Sequence, residues 1–164
     1  MSDDDMLEGA LRWLTSERDV ALHNGQEIGP SLRRVAKQAG VWHPERIRIA
    51  HVAALPEPAC PRLRTRMLAL GMMDAGIVGM TLGYAVLVRH GHATPRVLSH
   101  EFRHVQQYEA VGSLRTFLAE YVRQLIAYGY AQAPWELDAR AHEMSGRWLS
   151  HSINADEVEP QPPL

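Results

Sequence analysis

Cysteine is nearly absent. Cys60 is the only one in 164 residues, so neither a disulfide framework nor a thiolate zinc cage can be built. Lysine is scarcer than usual too. Lys37 stands alone among 17 basic residues, and the rest are arginine. Excess positive charge is also missing: the formal net charge is -2, which argues against a nucleic-acid-binding surface. The N-terminus, Met1-Ser2-Asp3-Asp4-Asp5, is acidic where a secretion signal would be basic. Together with one unpaired cysteine, this leads us to expect a cytoplasmic protein. Residues 67–88 form an apolar run close to the length of a membrane span. Asp74 interrupts it, and Asp74-Ala75-Gly76 is a turn signal, so the run reads as a loop followed by a strand rather than a span.

Histidine is plentiful, with nine in the chain. At 46% hydrophobic and 22% charged residues, the composition is globular and long enough for one core. The expected organisation is a single α+β domain over 1–153. It has N-terminal helices in 1–40, a sheet region in 46–89 and a helical part in 94–149, with a disordered proline-rich tail at 154–164. Helical spacing marks 4–23 and about 29–39, with Gly40 as a stop. Alternation over 46–54 puts Ile47, Ile49 and His51 on one face of a strand. Pro56, Pro58 and Pro61 forbid regular structure, a short helix fits 62–73, and 79–89 reads as one strand. Thr94-Pro95 is an N-cap followed by proline at the first helical position, predicting a helix to about Val111. Further helices fit 114–128 and Pro134 to about Leu149.

The chemistry lies in His100-Glu101-Phe102-Arg103-His104, an H-E-x-x-H string on the expected helix of 94–111. Residues four apart share a helix face at about 6 Å, which lets two imidazoles bind one zinc ion. Glu101 flanks that face, where a carboxylate can act on a water rather than on the metal. Leu98, Phe102 and Val105 give the same helix a separate apolar stripe.

HEFRHVQQYEAVGS followed by YGYAQAPWELDARAHE resembles small bacterial zinc-metallopeptidase-like proteins of the gluzincin type, over about residues 76–148. That resemblance implies a zincin-like fold, a small sheet whose edge strand precedes the motif helix, and a glutamate from a later helix as third ligand. Gln107 and Ala110 stand where the longer H-E-x-x-H-x-x-G-x-x-H pattern needs glycine and histidine. A catalytic zinc needs three protein ligands. The candidates for the third are Glu109, Glu120, Glu136, Asp138, His142 and Glu143. Glu109 sits a turn too far along the motif helix. Glu136, in the first turn after Pro134, matches the family's position, with Asp138 and His142 as alternatives. Asp138 or Glu143 are candidates to hold a ligand histidine's second nitrogen. Tyr128, Tyr130, Arg140 and His142 are candidates to steady an oxyanion.

The expectation is a zinc metallopeptidase carrying one Zn2+ per chain on His100, His104 and Glu136. Glu101 would be its general base, and an extended peptide would lie along the strand Met80–Val88. A zinc hydrolase for another amide or ester, or a zinc-bearing binding domain, would use the same residues. His90 and His92 flank a glycine in a loop, His23, His43 and His151 lie at element ends, and the tryptophans and methionines read as packing residues.

Overall fold

The computed structural model describes residues 3–144. Among the described residues, six helices pack on a mixed four-stranded sheet, an α+β arrangement. In chain order the elements are α1 (Asp3–Asn24), β1 (Gln26–Glu27), α2 (Pro30–Gln38), β2 (Arg48–Val52), α3 (Pro61–Ala69), β3 (Gly79–Leu82) and β4 (Ala85–Arg89), followed by α4 (Pro95–Val111), α5 (Leu114–Tyr128) and α6 (Pro134–Ala141). Single 3-10 turns cover Pro44–Arg46 and Tyr130–Gln132. The sheet order is β1-β2-β4-β3, with β2 and β4 parallel and the outer pairs antiparallel.

The central strand explains the layering. β4 is apolar at every position from Ala85 to Val88, as a strand buried on both faces must be. Val86 and Val88, with Ile47 and Ile49, pack against α2 and the Leu98, Phe102 and Val105 stripe of α4. Ala85 and Leu87 face the other way, onto Leu14 of α1, Leu63 and Met67 of α3, and Leu114 and Leu118 of α5. The sheet is therefore sandwiched between two helical layers.

The expected strand over 79–89 is a hairpin. Gly83, at φ +68°, turns the chain between β3 and β4 in a conformation that other residues rarely adopt. The strand assigned to a substrate, Met80–Val88, thus divides into an edge strand and a central one. Of these two, β3 is the one at an edge of the sheet. Apolarity alone could not distinguish one buried strand from two joined by Gly83-Tyr84. β1 was not expected; two residues after the α1 stop add a short strand to β2. His51 is exposed rather than on the buried face. The helix opening at Pro134 ends at Ala141, not near Leu149. Residues 154–164, His151 and Trp148 lie outside the described residues. Among the described residues, no helix is long and apolar enough to cross a membrane, and residues 67–88 form the end of α3, a loop and the hairpin.

α4 begins and ends as its sequence dictates. Thr94 Oγ1 accepts from the Val97 N–H at 3.3 Å, Pro95 follows, and Gly112 closes the helix at φ +82°. Its C-terminal half is tied to the layer below by Glu109. That carboxylate accepts from the backbone N–H groups of Trp42 (2.6 Å) and His43 (2.9 Å) and from the Tyr84 hydroxyl (2.9 Å). Glu109 is therefore an anchor for the 42–43 loop, and as a third metal ligand it is already committed elsewhere. Replacing it by leucine removes the shared acceptor of three donors. Glu109→Leu should cost about 2–4 kcal/mol in urea unfolding while leaving metal affinity unchanged. Loss of metal affinity without loss of stability would place Glu109 in the site instead.

Candidate metal centre

His100 and His104 project from one face of α4, and Glu136 enters from the first turn of α6. His100 Nε2 and His104 Nε2 are 3.2 Å apart. Glu136 Oε2 lies 3.3 Å from His100 Nε2, and Glu136 Oε1 lies 3.2 Å from His104 Nε2. A tetrahedral zinc with bonds of about 2.0–2.1 Å spaces its ligand atoms about 3.3–3.4 Å apart. The two imidazole nitrogens have close to that spacing, and each faces a different oxygen of the Glu136 carboxylate. One ligand atom from each of the three residues lies within 4.8 Å of the other two, close enough to share one ion. Among the described residues, this is the one group of three or more potential ligands that could share an ion.

Electrostatics agree with the geometry. Burial opposes a charge on His104, but facing Glu136 outweighs it and lifts its pKa to about 9. Burial also works against the Glu136 carboxylate, and the imidazoles of His100 and His104 and the Tyr121 hydroxyl still hold its carboxyl well below the usual range. The field that favours a proton at His104 favours a divalent cation among the same three donors. Glu136 is only 1% exposed, and its Oε2 has no hydrogen-bond partner among the described residues. A buried carboxylate oxygen left with ion-pair contacts alone, to His100 Nε2 at 3.3 Å and Arg140 Nη1 at 3.7 Å, is costly, and a cation held there would satisfy it.

α6 has eight residues, too few to hold a helix by themselves. Its position is set by side chains from α4 and α5. Arg103 clasps Asp138 through Nε (2.7 Å) and Nη2 (3.2 Å), and its Nη1 donates to the Ala39 carbonyl at 2.9 Å. Gln107 Nε2 donates to Asp138 Oδ2 at 2.8 Å and to the Trp135 carbonyl at 3.1 Å. From α5, Gln124 Oε1 accepts from the Trp135 N–H at 2.8 Å, and Phe117 stacks on the Trp135 ring at 5.0 Å. Tyr121 donates to Glu136 Oε1 at 2.7 Å.

The histidines are oriented from behind. Glu143 Oε1 lies 3.0 Å from His100 Nδ1, and Gln107 Oε1 lies 2.8 Å from His104 Nδ1. Each contact fits a proton on Nδ1, which leaves Nε2 with a lone pair for a metal. Asp138 reaches His104 only through Gln107, so it is a support and not a ligand. His142 Nδ1 turns to the Asp138 carbonyl at 2.8 Å. Glu120 pairs with Arg123 and Gln124.

Glu101 meets the sheet. Its Oε2 accepts from Thr81 Oγ1 of β3 at 2.6 Å. Gly79 stands so close that a Cβ there would lie 2.5 Å from Glu101 Oε1. Glu101, His100, His104, Glu136 and Tyr130 share the wall of a cavity of ≈ 90 Å³. Tyr130 keeps its proton: burial, then the charges of Glu136 and Glu101, push its hydroxyl upward. Arg140 Nη1 lies 3.7 Å from Glu136 Oε2 at the cavity's polar mouth. Tyr128 is exposed and does not line the cavity.

Sequence reasoning missed Gly79, Thr81, Gln107 and Tyr121. Gln107 carried a signal, since it stands one helical turn past His104. The other three carried none, because their meaning depends on which strand or helix packs on α4. No protein-family model, curated protein or solved structure matches the chain.

This geometry ranks the ligands from their supports. In zinc titration against a competing chelator, Glu136→Gln should weaken affinity most. Gln107→Leu should weaken it about 10–100-fold, the usual effect of losing a partner behind a ligand. Glu120→Gln should be silent. Equal, small effects at Glu136 and Glu120 would remove Glu136 from the ligand set.

Proposed function

We propose that the chain is a zinc-dependent hydrolase of zincin-like, gluzincin type that cleaves peptide bonds. The observation that carries this reading is the triangle of His100, His104 and Glu136 ligand atoms, with the Glu101 carboxylate on the same cavity wall. Those three residues would hold one Zn2+ per chain. When bound, zinc lowers the pKa of a water toward 7 and polarises a carbonyl.

The remaining work falls to the chain's own groups. Glu101 is the general base: it takes the proton of the attacking water and passes it to the leaving amine. Thr81 holds one carboxylate oxygen of Glu101. Gly79 leaves room for the other against the strand. Tyr130 retains its proton and donates a hydrogen bond to the oxyanion that develops on the carbonyl. Its place on the shared wall supports this role. The free edge of β3 receives the substrate in extended form, by main-chain hydrogen bonds. The substrate strand is therefore Gly79–Leu82 alone. A cytoplasmic site of action agrees with Cys60, which is exposed and unpaired.

A specific observation favours a second reading with the same chemistry, an amide that is not between two amino acids. Opposite β3, the cavity is walled by apolar side chains that include Leu14, Met67, Met72, Phe117 and Leu118, which offer a main chain nothing to bond.

Glu101→Gln is nearly isosteric, so zinc content and thermal stability should stay at wild-type values while turnover falls about 10²–10⁴-fold. The assay is cleavage of a broad peptide library, with zinc measured on the same samples. Undiminished cleavage in this variant would sink the mechanism. Zinc retained with no turnover of any amide by the wild type would leave a binding domain.

Gly79→Ala tests the same carboxylate from the strand side. The new methyl overlaps Glu101, and the flexible side chain must move. Turnover should fall sharply with the fold and the zinc retained. Activity equal to wild type would show that Glu101 does not act from this position.

A further inference from the structure

The apolar wall of the catalytic cavity does not end at the cavity. Leu14, Met67, Met72 and Leu118 also line a groove of ≈ 250 Å³ between α1, α3 and α5. The groove continues to Trp13 and Ile126 at the surface. The first four side chains are the wall that the cavity and the groove share, so the apolar groove adjoins the cavity of the metal ligands. Its polar counterpart lies on the other side of His100 and Glu101, in a mouth lined by Arg96, Tyr130 and Arg140.

The walls decide what fits. They are helices, whose backbone N–H and C=O groups are already paired within each helix. Arg66 is the one charged residue of the groove lining. A peptide main chain drawn into it would leave its own amides without partners, at about 1–3 kcal/mol each. A hydrocarbon chain carries no such groups, and methionines adapt to its shape. The mouth is charged, lined by Arg96 and Arg140 together with Glu101 and Glu143. Arg96 is paired with Glu143 at 3.1 Å, and Arg140 adds a further cation beside Glu136. Of the two, Arg140 has the longer carboxylate contact, at 3.7 Å, and is the cation that a ligand carboxylate can engage.

We propose that the substrate is an N-acylated amino acid or short peptide. Its aliphatic acyl chain lies in the α1/α3/α5 groove, its amide lies over the metal ligands, and its carboxylate faces Arg140. This assignment rests on the hydrolase reading for its chemistry and on the groove for its specificity. In the reaction, the oxygen of water forms a bond to the acyl carbon and the amide C–N bond breaks. The nitrogen leaves as an amine with the proton relayed by Glu101, and the acyl group leaves as a carboxylate.

The test is calorimetric titration of full-length protein carrying Glu101→Gln with N-acetyl-, N-hexanoyl-, N-decanoyl- and N-tetradecanoyl-glycine. Affinity should rise about two- to fourfold per added methylene until the groove is full. Ala119→Trp, placed at the exposed rim of the groove, should flatten that gradient while zinc content and thermal stability stay unchanged. The series is repeated in His100→Ala. A gradient that persists there, in protein without zinc, supports the groove whatever becomes of the hydrolase reading. Zinc binding with no dependence on chain length overturns the proposal. It would mean that the groove is covered by residues 145–164, by a second copy, or by the apolar side chains of a peptide. A gradient untouched by Ala119→Trp also overturns it, because the chain would then lie elsewhere.

Discussion

A buried carboxylate held against two imidazoles is the constraint on which the rest depends. Glu136 cannot supply its own solvation at 1% exposure. Tyr121 and His104 face its Oε1, and His100 faces its Oε2. Such a cluster survives folding only if α6 is fixed firmly enough to keep the charges together. The short helix cannot do this alone. Arg103, Gln107 and Gln124 pin it at both ends of its first two turns, and the Phe117–Trp135 stack closes the apolar side. The same clamp serves the histidines, since Gln107 touches His104 with one end of its amide and Asp138 with the other. Positioning α6 and orienting the ligand are one network.

The sheet constrains the opposite wall. Because β4 is buried on both faces, β3 must lie at the edge, and its side chains alternate between the two layers. Met80 and Leu82 go to the α1/α3/α5 side, and Thr81 goes to α4. Glu101 is thus held by a hydroxyl from the sheet while its neighbour His100 is held by Glu143 beyond α6. Two adjacent residues of one helix are fixed from two directions. The proposed proton transfer uses that arrangement, for a base must reach a water at the metal without becoming a ligand itself.

Much of this was legible in the residues. The Thr94-Pro95 start, the Gly112 end and the Leu98, Phe102 and Val105 stripe are local signals, and α4 follows them. The spacing of His100 and His104 fixes a shared face on any helix. Glu136 was legible only through the turn at Pro134 and a family resemblance, because nothing local says which way α6 points. The hairpin was hidden by continuous apolarity, in which Gly83 was the one break. Thr81, Gly79 and Tyr121 come from the strand and helix packed across the cleft, and such contacts leave no periodic trace in a single sequence.

Three carboxylates of this structure differ in one respect, and it separates their roles. Glu109 accepts from two backbone N–H groups and a phenol, so its lone pairs are engaged and it ties the fold together. Glu136 has one phenol donor, two imidazoles at ion-pair distance and an oxygen with no hydrogen-bond partner among the described residues, which is the condition of a ligand. Glu101 has one strong hydroxyl donor and otherwise faces the cavity, the position proposed for a general base. Glu101 and Glu109 stand on the same helix, eight residues apart, and composition cannot rank them. Their roles follow from how many donors the surrounding chain brings to each. A carboxylate saturated by fixed donors gains little from a metal or a proton, whereas one left short gains much. The roles proposed for Glu101 and Glu136 follow from how few fixed hydrogen-bond donors the fold brings to them, and the structural role of Glu109 from the three it brings there.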